Sequence, residues 1–169
     1  MSNEVALQKI QTFLKAYYSG DIEKAFSYCD EEIDMTFYAP VEIFPHLGHR
    51  HGRLHFMETV TTMLERYSDV RHEVRWVAAD GDKVSAILQL FMRKIRTGRM
   101  IQFDVAMFFT LKQGRIAQLR AFFDTVLDPM PGDDAPRGCL LTVTAGQAVH
   151  EDPAVRAAVH RGFAAIGAA

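Results

Sequence analysis

Several features that would narrow the function at once are missing. Cysteine is scarce: Cys29 and Cys139 are the two in 169 residues, far apart and in no Cys-x-x-Cys pattern. That excludes a disulfide framework and a thiolate metal cluster, and leaves free thiols in a reducing compartment as the simpler expectation. No apolar run approaches the roughly 18 residues of a membrane span. The first ten residues carry Glu4, Gln8 and Lys9 and hold no signal-peptide core. Charge of one sign is lacking as well: the formal net charge is -2 and the pI about 6.4, so there is no basic footprint for nucleic acid. The expectation is a cytoplasmic protein with neither nucleic acid nor membrane as a partner.

What is present is an ordinary globular composition, 49% hydrophobic and 24% charged, in a chain long enough to bury a core without metals or disulfides. Val5, Leu7, Ile10, Phe13, Leu14, Tyr17 and Tyr18 fall at helical spacing; Ser2 or Asn3 can cap that helix and Gly20 stops it. Asp21 caps a second, short helix with Ile22, Ala25 and Phe26 inward. Ile33 to Tyr38 alternates like a strand before Pro40. The stretch from Pro40 to Arg53, with two prolines, two glycines and three histidines, reads as a loop. Leu54 to Arg66 is a third helix, with Phe56, Val60, Met63 and Leu64 along one side.

Three long strands follow a further one. Val70 to Ala79 alternates, with Val70, His72, Val74 and Trp76 expected on one face. Val84 to Ile95, Met100 to Leu111 and Ile116 to Phe123 are joined by Thr97-Gly98-Arg99 and Gln113-Gly114-Arg115, an antiparallel meander with tight glycine turns. Both faces of the middle strands are apolar, which suggests helices or a cavity on one side and a partner subunit on the other. The expected class is therefore α+β: a curved antiparallel sheet wrapped on about three N-terminal helices, a cone over residues 1–130, associating as a homodimer through the sheet. Residues 131–169 read as a linker followed by a helical tail, with a helix starting near Asp152-Pro153.

This order of elements, with Tyr18-Ser19-Gly20-Asp21, Gly48 and Gly52 before the third helix, Ala79-Asp80-Gly81-Asp82, Thr97-Gly98-Arg99, and Gln113-Gly114-Arg115-Ile116 running to Arg120-Ala121-Phe122-Phe123-Asp124, resembles the nuclear transport factor two-like superfamily. Within it the chain is similar to the SnoaL-like polyketide cyclases, over about residues 3–128. The resemblance implies a deep apolar cone in which a few acids do cofactor-independent acid–base chemistry on a small hydrophobic carbonyl compound, since an apolar setting raises a carboxyl pKa. One fold hosts many activities, and a non-catalytic ligand-binding or dimerisation module is the alternative.

Set against the family's chemistries, several groups are missing. Where ketosteroid isomerases carry a phenol, a base and a second acid, this chain resembles them with Phe13, Ala39 and Met107. Where limonene-type epoxide hydrolases carry an Arg and an Asp, it has Leu88 and Leu90; their last acid corresponds to Asp124. Asp124 also matches the proton-shuttling acid of SnoaL-like cyclases, which makes it the first catalytic candidate, a structural ion pair with Arg120 being the plainer alternative. Asp104, between Phe103 and Val105 where an unpaired charge is costly, is the second; pairing with Arg99, Arg93 or Arg120 on the outer face is its plainer alternative.

Phe13, Tyr17, Phe37, Trp76, Phe91, Phe103 and Met107 are the candidate ligand-binding wall, with His46 reaching in from the loop. Such a lining favours a flat, apolar ligand over a polar metabolite. The histidines at 46, 49, 51 and 55 lie mostly in the loop without three or four convergent ligands, so no metal and no cofactor is expected. Arg137 to Leu141, Thr144-Ala145 and Asp152 to Arg156 weakly resemble part of the C-terminal regulatory region of TetR-type repressors, with no DNA-binding segment beside it.

Overall fold

The computed structural model describes residues 1–39, 44 and 46–124; the expected linker and tail lie outside them. Helix α1 (Asn3–Ser19) is capped by Ser2, whose side chain accepts from the Val5 amide. Its apolar residues fall on one buried stripe of Ala6, Ile10, Phe13, Leu14 and Tyr17. It stops at Gly20, at φ 80°, a left-handed conformation suited to glycine. A side chain there would meet Leu64 Cδ2 at 3.0 Å, so the residue also admits close approach of the third helix. Asp21 then caps the short α2 (Ile22–Ser27) by accepting from the Lys24 amide.

Six strands form one open sheet: β1 (Cys29–Tyr38), β2 (His49–His51), β3 (Tyr67–Asp80), β4 (Lys83–Lys94), β5 (Met100–Lys112) and β6 (Arg115–Asp124). The order is β2-β1-β6-β5-β4-β3, antiparallel except where β1 runs parallel to β6. Helix α3 (Gly52–Arg66) follows β2 directly. Helices α1 and α3 lie against the inner face. There Ile33, Met35, Leu88, Met107 and Leu119 are fully buried, together with Phe13 and Phe56 from the helices.

The expected elements are therefore present, with two differences. The loop before α3 contains β2, a three-residue edge strand bonded to β1, too short to show a period. Strand β3 carries irregularities between Ser68 and Arg71 and between Val74 and Trp76. At the second, Val74 pairs with Leu88 while Trp76 pairs with Ile87, so one extra residue, Arg75, flips the alternation. Val77 and Ala79 thus turn to the core, and Trp76 lies on the outer face, 47% exposed.

That outer face is ordered by register. Tyr38, Phe122, Ala106, Ile87 and Trp76 are successive cross-strand partners across five strands. Tyr38 and Phe122 stack at 4.5 Å and 4° between planes, and Phe108 meets Phe122 edge-on. This row explains why β4 and β5 read as apolar on both sides.

Candidate functional site

The curvature of the sheet leaves a cavity of about 40 Å³ between α1, α3 and the inner faces of β4, β5 and β6. That is about three times the roughly 10–15 Å³ needed by one water and about a quarter of the ~150 Å³ that holds a benzene ring, so a ring-sized ligand enters only where wall side chains yield. Its wall is mostly apolar, with Phe37, Leu90, Met92, Met107 and Phe123 from the sheet and Met63 from α3. Phe44, His46 and Leu47, which precede β2, also line it. Phe44 anchors this segment by packing its ring 5.3 Å from both Phe103 and Phe123.

The polar groups of the wall are phenols, one hydroxyl and one imidazole. Tyr17 and Tyr18 close the C-terminal end of α1, their rings edge-on at 5.1 Å. The Tyr18 hydroxyl points to the Met107 sulfur at 3.8 Å, a weak acceptor. Burial pushes both phenols' pKa values up, with Cys29 adding to the effect at Tyr17 and Tyr17 at Tyr18; Tyr67 is also raised by burial, partly opposed by Arg66. All three therefore stay protonated and remain donors. The Thr59 hydroxyl is occupied by the His55 carbonyl at 2.7 Å.

His46 differs from its neighbours. His49 Nε2 donates to Asp34 at 2.5 Å, His51 Nε2 to Glu32 at 3.0 Å, and His55 Nδ1 to the His51 carbonyl at 2.6 Å. These contacts fasten β2 to β1 and start α3, and no group of three or more potential metal ligands occurs among the described residues. His46 Nδ1, by contrast, is the one buried side-chain nitrogen or oxygen among the described residues without a hydrogen-bond partner. Burial, then Arg66 and Arg50, lower its pKa, so the ring is neutral at pH 7. Its backbone is held by Arg50, which donates to the His46 carbonyl at 2.7 Å and to the His49 carbonyl at 3.0 Å.

Of the residues expected to bind a ligand, Tyr17, Phe37, His46 and Met107 meet at the cavity. Phe13 is fully buried behind it, against Tyr17, Phe56 and Phe109. Phe103 is buried beside the wall, against Phe44 and Phe123. Two expectations are corrected: Trp76 is turned out by the bulge at Arg75, and Phe91 lies on the outer face, with the Arg71 guanidinium 5.2 Å from its ring centre. Asp104 is likewise exposed on the side of β5 opposite Phe103, Val105 and Met107; alternation, not a buried partner, resolves its charge. The backbone of Asp124 ends β6 opposite Asp104, directly after the cavity residue Phe123.

Sequence reasoning missed Tyr18, Phe44, Met63, Tyr67, Leu90, Met92 and Phe123. On β4, apolar residues on both sides hide the parity that selects Leu90 and Met92 over Phe91. Phe44 sits in a proline-bounded stretch with no period at all.

A helix-backed, open, strongly curved antiparallel sheet around an apolar cavity defines the nuclear transport factor two-like class of α+β proteins. Residues 10–119 match the SnoaL-like domain family, and the chain belongs to that family. Among solved structures it is similar to a nuclear transport factor two-like protein of unknown function from Burkholderia pseudomallei (14% identity, TM-score 0.65, 73% of this chain and 92% of that one). It is also similar to an LEH-like epoxide hydrolase from Mycobacterium tuberculosis (20%, 0.58, 72% and 84%). A third, TerC, was co-crystallised with polyporic acid (17%, 0.63, 71% and 92%). At these identities the likeness establishes the fold. A comparison with curated proteins finds no match.

Proposed function

We propose that the protein takes a small hydrophobic carbonyl compound into the cavity and isomerises, cleaves or cyclises it by acid–base catalysis without a cofactor. The observation that carries this reading is the cavity itself: an apolar enclosure whose polar groups are neutral phenols and a neutral imidazole. Such groups can donate to a carbonyl oxygen and accept a proton where water does not compete. In this reading Asp124, at the end of β6 after Phe123, moves the proton. The test needs no knowledge of the substrate. A panel of cyclic ketones and 1,3-diketones is incubated with the full chain in heavy water, and deuterium uptake next to the carbonyl is followed by NMR. Uptake above background, lost in Asp124→Asn with an unchanged circular dichroism spectrum, is expected; equal uptake in that variant refutes the role of Asp124.

One observation favours a second reading, a non-catalytic ligand-binding module: among the described residues no carboxylate lines the cavity. Tight binding of an apolar carbonyl compound without deuterium uptake would select it. In either case the apolar row Tyr38–Phe122–Ala106–Ile87–Trp76 supports association of two copies through the sheet, read by light scattering during size-exclusion chromatography.

A further inference from the structure

We propose that His46 is the hydrogen-bond-accepting pole of the cavity and that the group it reads is an acidic O–H, the hydroxyl of a phenol or of the enol form of a carbonyl compound. This rests on the reading of the cavity as a site for a small apolar ligand, and names the polar group that ligand carries. His46 lines the cavity, and its Nδ1 is sealed in the wall without a partner, whereas the three histidines that follow are each engaged by the protein. An unpaired buried nitrogen is a standing cost. A neutral imidazole offers one lone pair and one N–H, and a 180° turn of the ring exchanges which edge faces the cavity.

The other polar groups around it fix the sign of the preference. Tyr17, Tyr18 and Tyr67 remain protonated phenols, so they supply donors to a ligand oxygen but are poor acceptors. The charged groups facing His46 are Arg50 and Arg66, both cations, which favour its neutral, accepting form. Beside the Thr59 oxygen, whose hydrogen goes to the His55 carbonyl, the His46 nitrogen is the side-chain acceptor of the described lining left without a partner. The imidazole packs edge-on to Phe44 at 6.2 Å and tilted against Tyr67 at 6.3 Å, an aromatic corner that fixes the ring's position. Arg50, bonded to the His46 carbonyl, is a positioning residue.

The experiment compares two ligands of nearly the same shape, p-cresol and p-xylene, which differ by O–H for CH3. Affinities for the full chain are read by NMR titration, with the imidazole nitrogens of ¹⁵N-histidine-labelled protein as a second readout. Expected is roughly tenfold tighter binding of p-cresol and a shift of the His46 nitrogen resonances with p-cresol but not p-xylene. In His46→Phe the two ligands should bind within twofold of each other. His46→Asn, checked for an unchanged thermal midpoint, serves as a second variant and should lose most of the preference. Binding of both ligands with the same preference in wild type and variants overturns the role of His46 while leaving the apolar cavity standing. Binding of neither overturns both.

Discussion

Replacing Phe13 by alanine separates the core of this protein from its site. Phe13 is fully buried and touches three aromatic rings, with centroids 5.6 Å to Tyr17, 6.4 Å to Phe56 and an edge-on 5.9 Å to Phe109. Truncating a buried Phe costs about 3–5 kcal/mol through lost transfer energy and the void left behind. The edge-on contact with Phe109 alone is worth about 0.5–1.5 kcal/mol of that. The ring has a neighbour on each side and the position lies in mid-helix, so the site cannot collapse easily and the upper half of the range is expected. For a domain of this size about 4 kcal/mol corresponds to a fall in thermal midpoint of roughly 10–20 °C. Urea unfolding followed by circular dichroism, with the slope unchanged, is the assay. Phe13→Tyr sharpens the test: a hydroxyl buried there without a partner would cost about 1–3 kcal/mol. A loss below about 1 kcal/mol in both variants would mean that Phe13 borders open space, and the assignment of the cavity wall to Tyr17 and not Phe13 would fall.

The remaining predictions follow from single features. Burial lowers the pKa of His72, whose ring lies 5.1 Å from that of Tyr18, and burial with Arg66 and Arg50 lowers that of His46. In both cases the unfolded chain binds the proton first as pH falls, so their contribution is fully present above about pH 6.5 and is lost below it as pH passes through the folded-state values. His72→Gln should flatten that acid limb of the midpoint-versus-pH curve, and an unchanged limb in both His72→Gln and His46→Gln refutes the assignment. Burial pushes the Cys29 thiol up to about 12, so in a Cys139→Ser background it should resist a disulfide reagent at pH 8 until urea unfolds the chain; prompt labelling of folded protein contradicts that burial. Gly20→Ala should cost about 1–2 kcal/mol because of its left-handed φ, with further strain from Leu64 at 3.0 Å; a stabilised variant would be inconsistent with this cap. Asp104→Asn should leave deuterium uptake unchanged, because Asp104 faces away from the cavity, and a large loss would put it back among the catalytic candidates.

The fold was legible where one periodicity ruled. The stripe of α1, its Gly20 stop, the Asp21 cap and the glycine turns of the meander each have a local physical cause that acts without the remainder of the chain. The site was legible only in part, because a cavity wall depends on strand parity, and parity is set by events that leave no trace in composition. Arg75 is such an event. From Arg71 to Val74 the alternation holds, and a single extra residue then sends Val77 and Ala79 inward and Trp76 outward. A tryptophan at the next alternating position, the natural choice for a ligand wall, is thereby placed in the outer row with Ile87. Phe91 illustrates the complementary difficulty: with Leu90 and Met92 on either side, apolarity alone cannot choose a face.

The displacement of Asp104 bears on chemistry more than on architecture. The charge between Phe103 and Val105 pointed to a carboxylate partner for Asp124, yet Asp104 belongs to an outer cross-strand row with Gln89 and Glu73 and is exposed to solvent. The described wall instead gathers phenols and one neutral imidazole. Burial keeps the phenols as donors, while the apolar surroundings and two nearby cations keep the imidazole as an acceptor. The division of donor and acceptor that a carboxyl pair achieves by splitting pKa values is here achieved by residue type. Under the proposed acid–base reading, His46 takes a proton and a tyrosine hydroxyl meets the developing oxyanion without any buried charge in the resting site, which avoids the desolvation cost a carboxylate would incur in a cavity of this polarity.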